Sequence, residues 1–595
     1  MKSRCFKSML ISTALLATTT ACIDDSYDLS NIDTTTKIAV NDLEIPINLD
    51  AVKLDNIIEL NDDDQVKVYT DAQGNRFYAV VESGTFSSSS IQINEVTCAA
   101  PTVAPLSVTI DASDINIPGI TIPDIPGFTF TPPAGIDVSF RIPLLENKFA
   151  YDIRNIDPAI HSVKKIAIEP MSIKISMALT GVEEAVSAIV FKNIKIAAPK
   201  GFSAKVMDNL GSYNPETGEI LIPELTTTDC KSIISLEIDA IDFEAFGCSL
   251  DYNTHTMSYA GEINVEAGEI HAITSGKPIP TSFKLDMSIT LDDIVATKFT
   301  GDVEYTISGF DIPDVDISSL PDFLSDAGTN LSLVNPEIFI NLNNPVGNYG
   351  LDCQTGVTLI AKRNSQPNQY FTTDEPYFTI GSYAGTGNYS YCLSPKTPTE
   401  IEPGYEENFS WIAFSSLSNL LAGEGLPHAI GITLNDPCIP QQTVSDFQLG
   451  TNIDGVNGRY ELFAPLALVD GSTIIYTATE TGWGRDELEK ITVNDLEITA
   501  NVTSTIPLNV KLTGSLIDRN GNPIDATLTC AEIPASAQNA PLTITLHDDH
   551  LLKDLDGIKF TAKVTAKGET AISPDMTITL SNIHAKVSGY YITKL

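Results

Sequence analysis

The sequence predicts an all-β protein, built as tandem antiparallel β-sandwich domains with few short helices. Three observations lead there. Alternating runs rich in Ile, Val and Thr dominate, and one apolar residue in every two is the spacing of a strand with one buried face. Clusters of Asn, Asp, Gly and Pro punctuate those runs. Helical candidates are brief: 54–60, 321–327 and 416–422, each a turn or two.

The alternating runs share a peculiarity. Lys37 to Leu49 reads KIAVNDLEIPINL: Ile38 and Val40 share a face, and after Asn41-Asp42 the alternation resumes one residue out of step. Lys490 to Val502, KITVNDLEITANV, repeats it closely and suggests a related or mutually paired element. Shorter windows with the same break are IVFKNIKI (189–196), ITLDDIVA (289–296), YTISGFDI (305–312) and ITLSNIHA (578–585). Strand side chains have period two, so one extra residue swaps the faces. A bulge or bend at the central pair returns the apolar set to the core, and Asn, Asp and Gly tolerate the required backbone. Asp71–Asn75, Asn214–Gly218 and Asp518–Pro523 carry hairpin signals.

Two proline-spaced stretches punctuate the chain: Ile115 to Pro133, and Ile307 to Phe323. Proline cannot donate to a sheet ladder, so both read as edges or connectors. With 595 residues at ~150 per domain, the expected division is 1–21, 22–135, 136–303, 304–445 and 446–595.

Residues 1–21 have the layout of a secretory signal. Lys2, Arg4 and Lys7 precede an apolar stretch from Ser8 to Ala17, and Thr19-Thr20-Ala21-Cys22 follows. About ten apolar residues are too few to span a bilayer. The tetrapeptide resembles a bacterial lipobox, although Thr19 stands where that family usually has Leu. The acidic run Ile23-Asp24-Asp25-Ser26-Tyr27-Asp28 resembles the export tag of Bacteroidota surface lipoproteins. The resemblance implies lipidation of Cys22 and an outer-membrane protein held by its lipid, facing the exterior. Several acyl chains on one cysteine anchor durably. In signal and β-rich make-up the chain also resembles glycan-capture lipoproteins and pilus-type adhesins of that group.

Net charge is −42 over the whole chain and about −45 without residues 1–21. That sign excludes nucleic acid as an expected partner. Cysteines 98, 230, 248, 353, 392, 438 and 530 remain after the signal and Cys22. Cys230 and Cys248 could close a hairpin-sized loop in an oxidising compartment, and isolated buried thiols are the reading for most of the rest.

Catalytic signatures are missing: no G-x-S-x-G, H-E-x-x-H or phosphate loop occurs. His547-Asp548-Asp549-His550 reads as a polar turn, since histidines three apart fall on opposite faces of a strand. Asp62-Asp63-Asp64 lacks the alternation and glycine of a calcium loop. The expectation is therefore no catalytic residue, no metal and no cofactor. Aromatic residues in glycine-rich loops suit recognition. They nominate Trp483 in TGWGR, and Tyr383, Tyr389 and Tyr391 in YAGTGNYSY, as contacts for a glycan or protein ligand. Alternation in FSWIAF assigns Trp411 to the core. The functional expectation is a non-enzymatic binding or adhesion protein. A periplasm-facing scaffold or lipid carrier is the alternative.

Overall fold

The computed structural model describes residues 35–594 apart from 48–51, 57–59, 61–64, 120–128, 319, 321–323, 325, 365, 382–386, 482–490, 526, 531 and 548–554. The all-β expectation holds: among the described residues no helix reaches seven residues, Leu54–Asn56 and Ser415–Asn419 are short 3-10 turns where brief helices were expected, and most of the candidate 321–327 lies outside the described residues. Among the described residues every strand pairing is antiparallel except one, between Asn388–Ser394 and Phe409–Ala413.

Four sheets position the surface described below. A twelve-stranded central sheet runs through Phe202–Val206, Lys231–Asp242, Ile160–Thr180, Ile294–Thr306, Ala429–Gln448, Cys353–Lys362 and Gln369–Thr372. A six-stranded sheet centred on Val186–Ala197 and Met257–Thr274 lies against it. Phe140 and Phe283, from the two sheets, meet edge-on at 5.4 Å. A third, the junction sheet, orders Phe409–Ala413, Asn388–Ser394, Glu337–Asn343, Asn457–Pro465, Arg76–Ser87 and Val66–Thr70. A terminal sheet orders Thr35–Ile47, Thr577–Lys594, Ile491–Ser504, Ala540–His547 and Thr527–Cys530. One contiguous apolar core joins most of these layers.

Strand pairing corrects the expected linear division. Positions 303 and 445 fall inside Ile294–Thr306 and Ala429–Gln448, which pair with each other. Arg76–Ser87 pairs with Asn457–Pro465, and the first described strand with the last. Pro313 marks a crossing between sheets: Asp311 bridges Ser87, and Val315–Asp316 pairs with Ala429–Gln448. Proline shows where a chain leaves a ladder and says nothing about whether it leaves the domain.

The phase breaks are bends of two kinds. In Thr35–Ile47 and Ile491–Ser504 the register shifts at Val40/Leu43 and Val493/Asp495, and Asn193 and Asn582 adopt positive φ of 52° and 50° inside their strands. These are bulges of the expected sort. In ITLDDIVA the strand ends at Leu291 and a new one starts at Ile294, both lying along Ile160–Thr180. That long strand changes phase at the same place, between buried Ile168 and Met171. Lys231–Asp242 shifts register beside it, between Ile238 and Ala240. Asp292 ties the line together: its carboxylate accepts from the Ser172 amide at 2.9 Å. A crease thus crosses three strands. YTISGFDI differs again, because the ladder ends at Thr306 and Gly309 (φ 71°) turns the chain out.

The two near-identical windows do not pair with each other; they flank the same strand in the same register. Ile38 and Ile491 both face Tyr591, Leu43 and Leu496 both face Val587, and Pro46 and Thr499 both face His584. Thr499 is paired on its other side too, with Thr543, whereas Pro46 stands on the sheet edge. Proline has no N–H to offer a further strand, so the two copies differ where an edge benefits from lacking a donor.

The first two hairpin signals form as expected. At Asp71–Asn75 the aspartate accepts from the amides of Gln73 and Asn75, and at Asn214 the Oδ1 accepts from the Glu216 amide. The Asp518 turn reproduces the Asp71 geometry but is closed by a single bridge, Ile517 to Pro523. Cys230 and Cys248 are not a disulfide. They lie at opposite ends of the twelve-residue strand Lys231–Asp242, which at ~3.3 Å per residue separates them by roughly 40 Å, far beyond disulfide reach.

Candidate binding surface

Cys22, Trp483 and Tyr383 lie outside the described residues, as do Asp62–Asp64 and His550. Tyr389 and Tyr391 are corrected. Both belong to Asn388–Ser394 and are buried, opposite Leu342 and Ile340. The Tyr391 ring packs 4.9 Å from Phe378, and its hydroxyl donates to the Thr379 carbonyl. The glycine-rich segment ends earlier than expected, and these tyrosines alternate inward. Trp411 is corrected in the other direction: it is 39% exposed, its Nε1 donating to Ser394 Oγ at 3.0 Å. His547 pairs with Asp495 on the neighbouring strand.

Exposed aromatics concentrate where two sheet edges meet. Gln369–Thr372 forms one end of the central sheet and Phe409–Ala413 one end of the junction sheet. Asp374 joins them. Its amide donates to the Ala413 carbonyl, and its carboxylate accepts from the Ser415 amide and hydroxyl at 2.9 and 2.6 Å. Tyr370 (66% exposed), Tyr377 (44%) and Trp411 all stand on this joint. Two open clefts flank the edge strand. One, of about 430 Å³, is bounded by Gln369, Tyr370, Phe371, Asn419, Ala422 and Gly423. The other, of about 680 Å³, runs from Thr372 past Asp374 and Tyr377 to Asn435 and Asp436. The Tyr377 hydroxyl donates to Asp436 at 3.2 Å, which raises its pKa. On the edge itself the Thr373 amide donates inward to Val357, so by alternation the amides of Tyr370 and Thr372 point outward, while the Thr372 carbonyl accepts from Ser416 Oγ at 3.3 Å.

Behind this joint the outer face of the junction sheet is covered by the strap 395–408. Tyr405 on the strap lies 5.4 Å from Phe339 and beneath Arg459, whose guanidinium carbon sits 4.6 Å from the ring centre. Lys396 donates its amide to Asn335 Oδ1 at 2.8 Å, and Glu407 accepts from the Ser390 amide through its carbonyl. Three carboxyls gather under and beside the strap. Glu337, 8% exposed, is pushed up to about 7 by burial, with Glu402 adding repulsion and one hydrogen bond from Asn335 opposing the shift. Glu402 and Glu461 are also raised by burial, and Glu402 further raises Glu461. Among the described residues no three His, Cys, Asp or Glu side chains converge as metal ligands. The joint thus offers aromatic faces, planar carboxylates and amides, and outward ladder amides, which are the means of holding an extended ligand.

Sequence reasoning missed Tyr370, Tyr377 and the buried carboxyls. Its one available signal was NQYFTTDEPYF, where aromatics interleave with turn-forming polar residues.

No protein-family model and no curated protein matches the sequence. The chain is similar to a crystal structure of a protein described as secreted from Parabacteroides distasonis ATCC 8503, with 14% identity and a TM-score of 0.32, covering 49% of this chain and 89% of that one. A structure of PNGF-II aligns with 84% of this chain and 99% of its own at 7% identity and a TM-score of 0.10. At these scores neither likeness carries an argument about fold or function.

Proposed function

We propose that this protein is a lipid-anchored envelope protein that captures an extended ligand, in the first instance a glycan, on the joint carrying Tyr370, Tyr377 and Trp411. The observation that carries the reading is the concentration of exposed aromatic rings at one joint, with Asp374, Asn435 and Asp436 lining the larger cleft beside Tyr377, Tyr370 at the smaller one, and outward ladder amides along the edge. Sugar rings stack on aromatic faces while planar amides and carboxylates take their hydroxyls. The role is non-enzymatic and needs no cofactor. The signal-like residues 1–21, Cys22 and the acidic run after it support anchoring at the outer membrane, facing outward. The apolar cavity between the two large sheets, lined by Val96, Phe243 and Phe299 among others, encloses about 20 Å³, too little for a lipid chain.

The test combines location with binding. Protease treatment of intact native cells is expected to remove the protein while a periplasmic control survives. Protection until lysis would overturn the outward orientation and favour the scaffold reading. Full-length detergent-solubilised protein is then titrated with neutral and acidic oligosaccharides, followed by tryptophan fluorescence and calorimetry. Replacing Tyr370, Tyr377 and Trp411 together by Ala is expected to abolish binding without lowering the melting temperature by more than a few degrees. Binding unchanged in the folded triple variant would refute this surface.

A further inference from the structure

A buried cation lies behind the wall of the smaller cleft. Arg363, at the end of the strand Cys353–Lys362, is only 8% exposed and has no carboxylate partner among the described residues. Its Nε donates to the Gly425 carbonyl at 3.2 Å, one terminal nitrogen to Gln369 Oε1 at 3.0 Å and the other to the Ala422 carbonyl at 2.6 Å. These bonds occupy three of the five N–H groups of a guanidinium. All three acceptors are neutral. The nearest acidic side chain on the same loop, Glu424, takes its hydrogen bond from Gln366 instead. Burial lowers the Arg363 pKa with no opposing partner. A buried charge is ordinarily paired, because leaving it unpaired costs several kcal/mol.

The guanidinium is also close to the cleft wall. Gln369 and Ala422, two of its acceptors, line the cleft, and so does Gly423. A Cβ on Gly423 would stand 3.3 Å from the guanidinium carbon. Gly423 has a φ of 131°, a conformation that side chains rarely adopt, so the wall in front of the cation is bare backbone. Tyr370 stands at the same cleft with its ring outward. In a chain of net charge −42, long-range attraction works against an anion, so any recognition of one has to be local.

We infer that this cleft is an acid-specific subsite: the carboxylate or sulfate of an acidic saccharide is drawn to Arg363 across Gly423 while its ring stacks on Tyr370. This rests on the proposed capture role and adds the chemical class of the ligand. Asn419, exposed at the rim with its Oδ1 accepting from Ser332 Oγ, borders the position the anion would take.

The experiment uses the full chain and four probes of equal length: a tetragalacturonate, a sulfated tetrasaccharide, neutral cellotetraose and tetraglutamate. Calorimetry is expected to show the acidic saccharides binding at least tenfold tighter than cellotetraose, the scale of attraction between an anion in the cleft and a charge held behind its wall. The carboxylate and sulfate arms identify which anion is taken. Asn419→Asp, which adds a charge with almost no change of shape, should weaken the acidic probes at least tenfold and far more than it weakens cellotetraose. Tyr370→Ala should weaken all the saccharides. Arg363→Gln should remove the preference for acid. If that variant does not fold, Asn419→Asp still decides the matter. Equal affinity for neutral and acidic sugars, with Tyr370→Ala still damaging, would overturn the acid subsite and leave the capture role standing. Tetraglutamate binding as well as tetragalacturonate would overturn the saccharide assignment. Acid-selective binding indifferent to Asn419→Asp and Tyr370→Ala would place the anion elsewhere and overturn the inference. No binding of any probe to folded protein would overturn both.

Discussion

Glu337→Gln should stabilise the protein, and should do so only where the carboxyl would otherwise ionise. Glu337 is buried against the strap, and its folded-state pKa of about 7 lies above the ordinary 4.5. The sign follows from that order. The unfolded carboxyl loses its proton first, so stability is highest below pH 4.5, falls as pH rises to about 7, and is level above. A gap of about two and a half pH units is worth about 3 kcal/mol, of which about 1 kcal/mol is already lost at pH 5. A glutamine oxygen can accept the same bond from Asn335, at 2.8 Å in the native protein, so the amide mimics the protonated acid. Scanning calorimetry of the native chain and the variant is run at pH 5 and pH 8. The variant is expected to melt a few degrees higher at pH 8 and to differ by about a third as much at pH 5. An increment independent of pH would show that packing, not ionisation, was relieved. A lower melting temperature at pH 8 would mean that the charged form has a favourable partner, and the reasoning would fail.

Other outcomes follow from close contacts. A Cβ on Gly301 would run into the Ser162 carbonyl oxygen in the adjoining strand, whereas one on Gly84 meets the movable Tyr460 hydroxyl at 2.5 Å. Gly301→Ala should therefore lower stability well beyond the ~1–3 kcal/mol expected of Gly84→Ala, as read by urea denaturation. Pro46→Thr restores the edge strand to the residue of its interior twin; a concentration-dependent rise in sedimentation coefficient is expected, and an unchanged monomer would show that the proline is not guarding the edge. Burial pushes Cys353 and Cys392 up to about 12. Both should resist iodoacetamide in the native protein at pH 8, detected by mass spectrometry, while partly exposed Cys438 reacts. Rapid labelling of Cys392 would mean that the strap opens readily.

What could be read from the sequence depended on the range of the interaction. Period-two alternation and the phase breaks are local, and the bulges at Val40/Leu43 and Asn582 appear where they were expected. Pairing is not local. Nothing around Arg76 to Ser87 announces that its partner begins at Asn457. Alternation also assigns residues to faces without saying which face is inside. Phe409 and Trp411 do share a face, but Phe414 on the other phase is the one fully buried. The same ambiguity turned Tyr389 and Tyr391 from presumed loop contacts into core. Tyr370 and Arg363 became a pair of interest only once the chain was folded, because the cleft between them is closed by Ala422 and Gly423, some sixty residues away.

The twin strands also bear on when the chain can become itself. Thr35–Ile47 has a single ladder partner, the strand Thr577–Lys594, synthesised more than five hundred residues later. Arg76–Ser87 likewise pairs with a strand near residue 460 as well as with its own hairpin. Loop closure over such distances makes assembly slow and late. A polypeptide arranged this way cannot close its terminal sheet before Thr577–Lys594 has been made, so the order of assembly is set by topology.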